Sequence, residues 1–248
     1  MSGLLFSGVV HAYDEIQVYG DDINQPGQFG LEMHVNYAFE GRSTPAYKGE
    51  LPPDQLLAIT NEFSYGLTPH IELGLYLPIS IDVQNNRSFM DYAKGRIKFL
   101  NADDLSLFYG LNIEFGAFPR RYSDQSWGGE LRPIVGSKLD DWFFAFNPNL
   151  NFSVQGNIVP DFNPSFKITH SFFDNVSLGF EHYAGFSKLG HFHRTHEHGH
   201  TTYLVTDITL EGIDINLGIG HGWDENSDDW TAKLIVGGIP FMDWITPR

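Results

Sequence analysis

Five histidines fall within the stretch GHFHRTHEHGH, Gly190 to His200: His191, His193, His196, His198 and His200, with Glu197 among them. Imidazole ligates zinc, copper or nickel, and His-x-His spacing can set two rings on one ion. The spacing matches no fixed-geometry site. The chemistry expected is therefore loose capture of zinc or another divalent transition metal, with no tightly held cofactor. A hydrophilic loop whose histidines meet only water, gaining charge below about pH 6.5, accounts for the same residues.

A second set of chemically capable residues is spread along the chain, each one opposite an apolar neighbour: Glu32, His34, Glu62, Glu72, Asp82, Lys94, Arg96, Lys98, Glu114, Arg132, Lys138, Lys167, Glu181, Asp207, Asp214 and Lys233. Lys94, Arg96 and Lys98 put three bases in a row on one face. Nucleophilic catalysis has weaker support. His170 and Ser171 are adjacent, so in a strand they point to opposite faces and cannot act as base and nucleophile. His182 has no evident serine partner. GWDENSDDW, Gly222 to Trp230, is acidic and could hold calcium loosely, but it lacks a definite ligand spacing. No enzyme activity is expected.

The elements that position these residues are strands. In QFGLEMHVNYAFE, Phe29, Leu31, Met33, Val35, Tyr37 and Phe39 alternate with Gly30, Glu32, His34, Asn36, Ala38 and Glu40. Alternation sends the two sets to opposite faces. The same pattern recurs from Ile59 to Leu67, Ile71 to Val83, Ala93 to Phe99, Leu105 to Ala117 and Leu131 to Val135. It then recurs on even positions from Trp142 to Val154, Phe162 to Ile168 and Val176 to Phe186. Leu204 to Leu210, Ile213 to Trp223 and Trp230 to Trp244 complete twelve strands. Short turns near Thr68, Asn101 to Asp104, Asp140, Asp174 and Gly212 alternate with polar loops at 41–56, 84–92, 118–129, 155–161, 187–201 and 224–229.

Strands of about 9–13 residues suit a tilted span of hydrocarbon better than a soluble sheet. Aromatics gather at strand ends: Tyr37, Phe39, Phe186, Trp223 and Trp230 toward the long loops, and Phe29, Trp142, Phe172 and Trp244 toward the short turns. Aromatic girdles of this kind mark membrane interfaces. The reading is an all-β, closed antiparallel transmembrane β-barrel of about 12 strands, with short periplasmic turns and long extracellular loops, in the outer membrane of a Gram-negative bacterium. Lipid and lipopolysaccharide would surround it. No apolar run reaches the roughly 18–20 residues of a membrane helix, and alternating strands escape that test. The chain has 248 residues, a net charge of -16, 26 glycines, 15% aromatic residues and no cysteine. The charge argues against nucleic acid as a partner, and disulfides and thiolate metal sites are excluded.

Val10-His11-Ala12 follows an apolar run in the manner of a cleavage site, so residues 1–12 read as a signal-peptide remnant. Residues 13–28 then read as a periplasmic N-terminal segment, and 29–248 as the barrel.

EFSYGLTPHIELGLYLPIS, Glu62 to Ser80, resembles a strand–turn–strand pattern of the meta-pathway phenol degradation-like family, a set of outer-membrane transporter barrels. The resemblance implies an exported barrel that passes small solutes, and it carries no catalytic residues. On the residues themselves, strands one to three supply mostly acids and strand four supplies bases. That order suggests an acidic wall facing a basic wall across a pore, with Lys94, Arg96 and Lys98 as solute contacts. Hairpin arithmetic puts Lys167 opposite Glu181 and His34 near Glu62. The alternative is a salt-bridged, non-conducting structural or surface-binding barrel. Eight strands are filled by side chains and sixteen leave a channel, so twelve leaves both readings open.

Overall fold

The computed structural model describes residues 15–102, 106–155, 159–190 and 199–239. Thirteen strands lie in one antiparallel sheet: β1 Phe29–Glu40, β2 Leu56–Thr68, β3 Ile71–Asp82, β4 Arg87–Met90, β5 Ala93–Asn101, β6 Leu107–Ala117, β7 Trp127–Leu139, β8 Trp142–Ser153, β9 Asp161–Phe173, β10 Val176–Gly185, β11 Gly199–Leu210, β12 Ile213–Gly222 and β13 Trp230–Ile239. Twelve of them form a ring. β1 pairs with β13, β2 with β3, and β3 with β5, while neighbours in sequence pair throughout the rest. The ring leaves no unpaired edge, which is the condition for a sheet in lipid.

The short β4 stands outside the ring. It pairs only with the outer end of β3, Ile79 to Asp82, so the expected loop 84–92 is in part a hairpin. β7 and β11 likewise begin at Trp127 and Gly199, inside the expected loops 118–129 and 187–201. Ladders continue past the membrane wherever two neighbouring strands can still pair. At the other rim, the β11–β12 turn holds Glu211 and Gly212 at φ 51° and 86°. Two positive φ values make the turn whose twist matches a hairpin.

Burial is inverted relative to a soluble protein. Phe180, Leu204 and Ile219 are 55%, 55% and 49% exposed, whereas Glu114, Glu181 and Lys233 are 1%, 1% and 2% exposed. The apolar face therefore points out of the ring and the charged face into it. Phe39, Trp127, Trp223 and Trp230 at the long-loop rim, and Phe29, Trp142, Phe172 and Phe173 at the short-turn rim, are also exposed, as two girdles require. Trp244 and the expected last-strand residues after Ile239 lie outside the described residues.

A charge placed on the outer face should be costly. Leu217 is exposed at the middle of β12, and Leu217→Arg is expected to destabilise the barrel by roughly 2–4 kcal/mol in urea-dependent refolding into vesicles. An unchanged midpoint and slope would show that this face does not meet lipid.

Candidate functional site in the lumen

The alternation that builds the wall also delivers its inner surface. From β5 to β11 the polar phase of the strands is interrupted by Leu100, Phe108, Ile134, Ala145 and Val205, all buried. Once the strands are side by side, these residues form an apolar patch inside a polar lumen. Ile16, Val18 and Tyr19 of the N-terminal segment pack on that patch with Tyr183 and Tyr203. Sequence reasoning expects residues 13–28 in the periplasm; their described part, from Glu15, instead runs up through the barrel.

The segment enters at the short-turn rim. The Gly27 N–H donates to the Gly66 carbonyl at 2.7 Å, and the Gly66 N–H donates back to the Gln28 carbonyl at 2.9 Å. A Cβ at Gly66 would strike the Asn24 and Gln25 carbonyls, so glycine is needed for this approach. Asn24 then donates from its backbone and side chain to Glu72 Oε2, at 2.8 and 2.6 Å, and from its side chain to Ser64 at 2.7 Å. Asp22 pairs with Lys98 at 3.4 Å, and Asp21 pairs with Lys138.

Farther in, lumen side chains satisfy the segment's main chain. The Tyr19 N–H donates to Asn147 Oδ1 at 2.7 Å, and Asn147 Nδ2 donates to the Tyr19 carbonyl at 3.1 Å. Arg132 donates to the Gln17 carbonyl at 3.2 Å, and Lys233 donates to the Ile16 carbonyl at 2.9 Å. Gln17 Nε2 donates to Glu32 Oε1 at 2.9 Å, and Glu15 pairs with Lys94 at 3.3 Å. The Tyr19 ring lies under the Arg132 guanidinium, 4.3 Å from centroid to Cζ, and its hydroxyl shares a 2.5 Å hydrogen bond with Tyr76.

Most of the inward residues of the sequence reading fall into two groups. On the β1-to-β7 wall, Arg96 pairs with Glu62 and with Glu72, Lys98 with Glu72 at 3.4 Å, Lys94 with Glu114 at 2.5 Å, and Arg132 with Glu130 at 2.5 Å. His34 Nε2 lies 2.9 Å from Glu32 and 3.5 Å from Glu62. On the β9-to-β13 wall, Glu181 holds Lys233 and, at 3.3 Å, Lys167, which also reaches Asp207 at 2.8 Å. Lys167 and Glu181 are cross-strand partners.

The acids of β1–β3 and the bases of β5 do not face each other across the lumen. β3 and β5 are neighbours in the ring, so the two rows interdigitate on one wall. Gly74, the cross-strand partner of Arg96, leaves the space its side chain fills. Lys94, Arg96 and Lys98, expected to contact solute, each hold at least two carboxylates. Asp214 lies at the short-turn rim and accepts from Thr209 at 2.7 Å.

A cavity of about 960 Å³ lies between the segment and the lumen wall toward the short-turn rim, lined by Glu32, Glu62, Lys98, Lys138, Lys167 and Asp207 among others. At the opposite end, long loops pack into a collar: Leu51 and Leu56 bury against Phe89 and Tyr122. Arg121 pairs with Asp91 at 2.9 Å, and Ser80 donates to the same carboxylate. Burial raises the Asp91 carboxyl above the ordinary carboxylate range, against the pull of Ser80 and Arg121.

Of the histidine loop, His191, His193, His196 and His198 lie outside the described residues. His200 begins its ring contacts at β11: its Nδ1 is 3.3 Å from His182 Nε2, and its N–H donates to Asp224 at 2.6 Å. His170 packs on Trp142 and Phe172, while Ser171 bonds Ser177 at 3.0 Å, so the two are not paired.

No protein-family model matches the sequence, and no curated protein matches it. Solved structures match through the fold. The COG4313 outer membrane channel from Pseudomonas putida F1 superposes with a TM-score of 0.61 at 11% identity, covering 90% of this chain and 99% of that one. The KdgM porin gives 0.56 at 7% identity, covering 84% and 98%, and the NanC porin gives 0.53 at 7%, covering 84% and 97%. Ring, girdles and outward apolar face make this chain a β-barrel of the Gram-negative outer membrane. The resemblance of Glu62 to Ser80 to the meta-pathway family is supported only at the level of the outer-membrane barrel fold.

Asn147 is the residue that clamps the segment's backbone. Asn147→Ala should speed hydrogen exchange at the Tyr19 amide by about tenfold or more, the equivalent of one hydrogen bond of roughly 1.4 kcal/mol, and leave the strand amides protected. Equal exchange would show that the clamp does not hold the segment.

Proposed function

We propose that the chain is an outer-membrane channel for small polar solutes whose resting lumen is closed by its own N-terminal segment. The observation that carries this reading is the course of residues 15–24: an extended stretch with no strand partner of its own, whose backbone is bonded by side chains from β7, β8 and β13. Three solved chains with this fold and TM-scores above 0.5 are described as an outer membrane channel and as porins, which supports passage of solutes.

The charge on the segment indicates what the opened lumen would favour. Residues 15–24 carry Glu15, Asp21 and Asp22 and no base. Their withdrawal frees Lys94, Lys98 and Lys138 from one acidic partner each. The open state would then present cations to the path, which suits anionic solutes. In this reading the long loops, the histidine loop included, face lipopolysaccharide.

The runner-up is a non-conducting barrel. It is favoured by the packing of Ile16, Val18 and Tyr19 into the inner apolar patch, and by the pairing of the described lumen charges. Planar-bilayer recording separates the two. Deleting residues 2–24 should raise single-channel conductance several-fold over the full chain, with a reversal potential shifted toward anions under a salt gradient. Equal conductance in both would end the role of the segment as a closure. Silence in both would leave the non-conducting barrel.

A further inference from the structure

Glu32, His34 and Glu62 converge in the lumen at the point where β1 and β2 pair. Glu32 and Glu62 are directly opposite each other across the two strands, and His34 is two residues along β1 on the same inner face. One ligand atom from each lies within 4.8 Å of the other two. His34 Nε2 is 2.9 Å from Glu32 Oε1 and 3.5 Å from Glu62 Oε2. Zinc bonds of about 2.0–2.1 Å in a tetrahedron set ligand atoms roughly 3.3 Å apart. The two separations from His34 differ from that by a few tenths of an ångström, and the two carboxylates lie within 4.8 Å of each other.

Two features point to a ligand rather than to a closed ion-pair cluster. His34 is 1% exposed, yet neither of its ring nitrogens makes a hydrogen bond of good geometry. Its Nε2 is held by charge between the two carboxylates, at 2.9 and 3.5 Å, without a directional bond to either. The second feature is how Glu62 divides its oxygens. Oε1 holds Arg96, and Oε2 is the atom turned to His34. One carboxylate can therefore keep its guanidinium and still ligate.

We propose that Glu32 Oε1, His34 Nε2 and Glu62 Oε2 form a binding site for a divalent transition metal of the zinc class. One imidazole with two carboxylates suits such ions, and the fourth position is left for water or another ligand. Glu15 of the N-terminal segment is a neighbouring carboxylate, close enough to interact with both His34 and Glu62 by charge, and neither of its buried oxygens has a hydrogen bond. The way in is the cavity beneath the segment, which Glu32 and Glu62 both line. Binding requires neutral His34, so any proton on the ring leaves to solvent. Gln17 gives up its bond to Glu32 Oε1 in exchange. The site does not depend on whether the barrel conducts.

The test separates this site from the histidine loop. The full chain in detergent, with His191, His193, His196, His198 and His200 all changed to alanine, is titrated with zinc chloride by calorimetry. One zinc per chain is expected, with an affinity that falls at least tenfold when His34→Gln is added. X-ray absorption of the zinc-loaded loop variant should show a single imidazole among oxygen ligands, a readout that needs no change at His34. Absence of binding in the loop variant, affinity unaffected by His34→Gln, or two or more imidazoles on the metal would each overturn the proposal.

Discussion

Hydrocarbon offers the backbone no hydrogen-bond partner, and the architecture follows from that. Every strand in the membrane must pair on both sides, so the sheet has to close, here through β1–β13 and β2–β3. Closure forces one face of every strand outward to acyl chains and the other inward. A ring of twelve strands lies between the eight whose interior is filled by side chains and the sixteen or so that leave a broad aqueous channel. The inner space has to hold water, solute or protein. In this chain it holds protein: Glu15 to Asn24.

A plug of extended chain creates the same requirement again, one level down. Its N–H and C=O groups have no neighbouring strand and need partners. Asn147 serves both groups of Tyr19, Arg132 serves the Gln17 carbonyl, and Lys233 serves that of Ile16. The lumen charges therefore act twice. Lys233 neutralises Glu181 while capping the segment, and Arg132 pairs with Glu130 while covering the Tyr19 ring. Buried ion pairs add little net stability over apolar groups of equal volume. What directional donors and acceptors add is a preferred position for the segment along the lumen.

The barrel was readable from the sequence because alternation is a local property. Phe29 to Glu40 shows both faces with no knowledge of any other strand. Lys167 opposite Glu181, expected from counting about Asp174, is observed, although a one-residue register shift between Val176 and Ser177 lies between the turn and the pair. The long loop between β1 and β2 does not tie the register, and there the side chains rather than the ladder bring His34 to Glu62: the cross-strand partner of His34 is Thr60. The expectation of opposed charged walls failed on adjacency, since a closed ring places the fourth spanning strand beside the third. The plug was missed for a different reason. Leu100, Phe108, Ile134 and Val205 sit in the polar phase of their strands. In a single strand such a residue looks like noise in the alternation. Only assembly turns them into a patch that needs a cover, and Ile16-Gln17-Val18 is a short alternating stretch with no strand to join.

The strength of that cover decides whether it is a wall or a gate. Burying Ile16, Val18 and Tyr19 contributes roughly 1.5–3 kcal/mol for each side chain. The hydrogen bonds from Gln17, Tyr19, Asn24 and their lumen partners contribute about 1 kcal/mol each, because water replaces them when the lumen hydrates. Against these stands the ordering of ten residues, at about 1–2 kcal/mol for each backbone. The opposing sums are of the same size, so the segment's packing and its ordering nearly offset each other. The ring around it, paired at every strand, has no comparable freedom. A segment so nearly balanced, inside a ring paired at every strand, could leave and return without disturbing the barrel, and that asymmetry is what the proposed self-sealed channel requires.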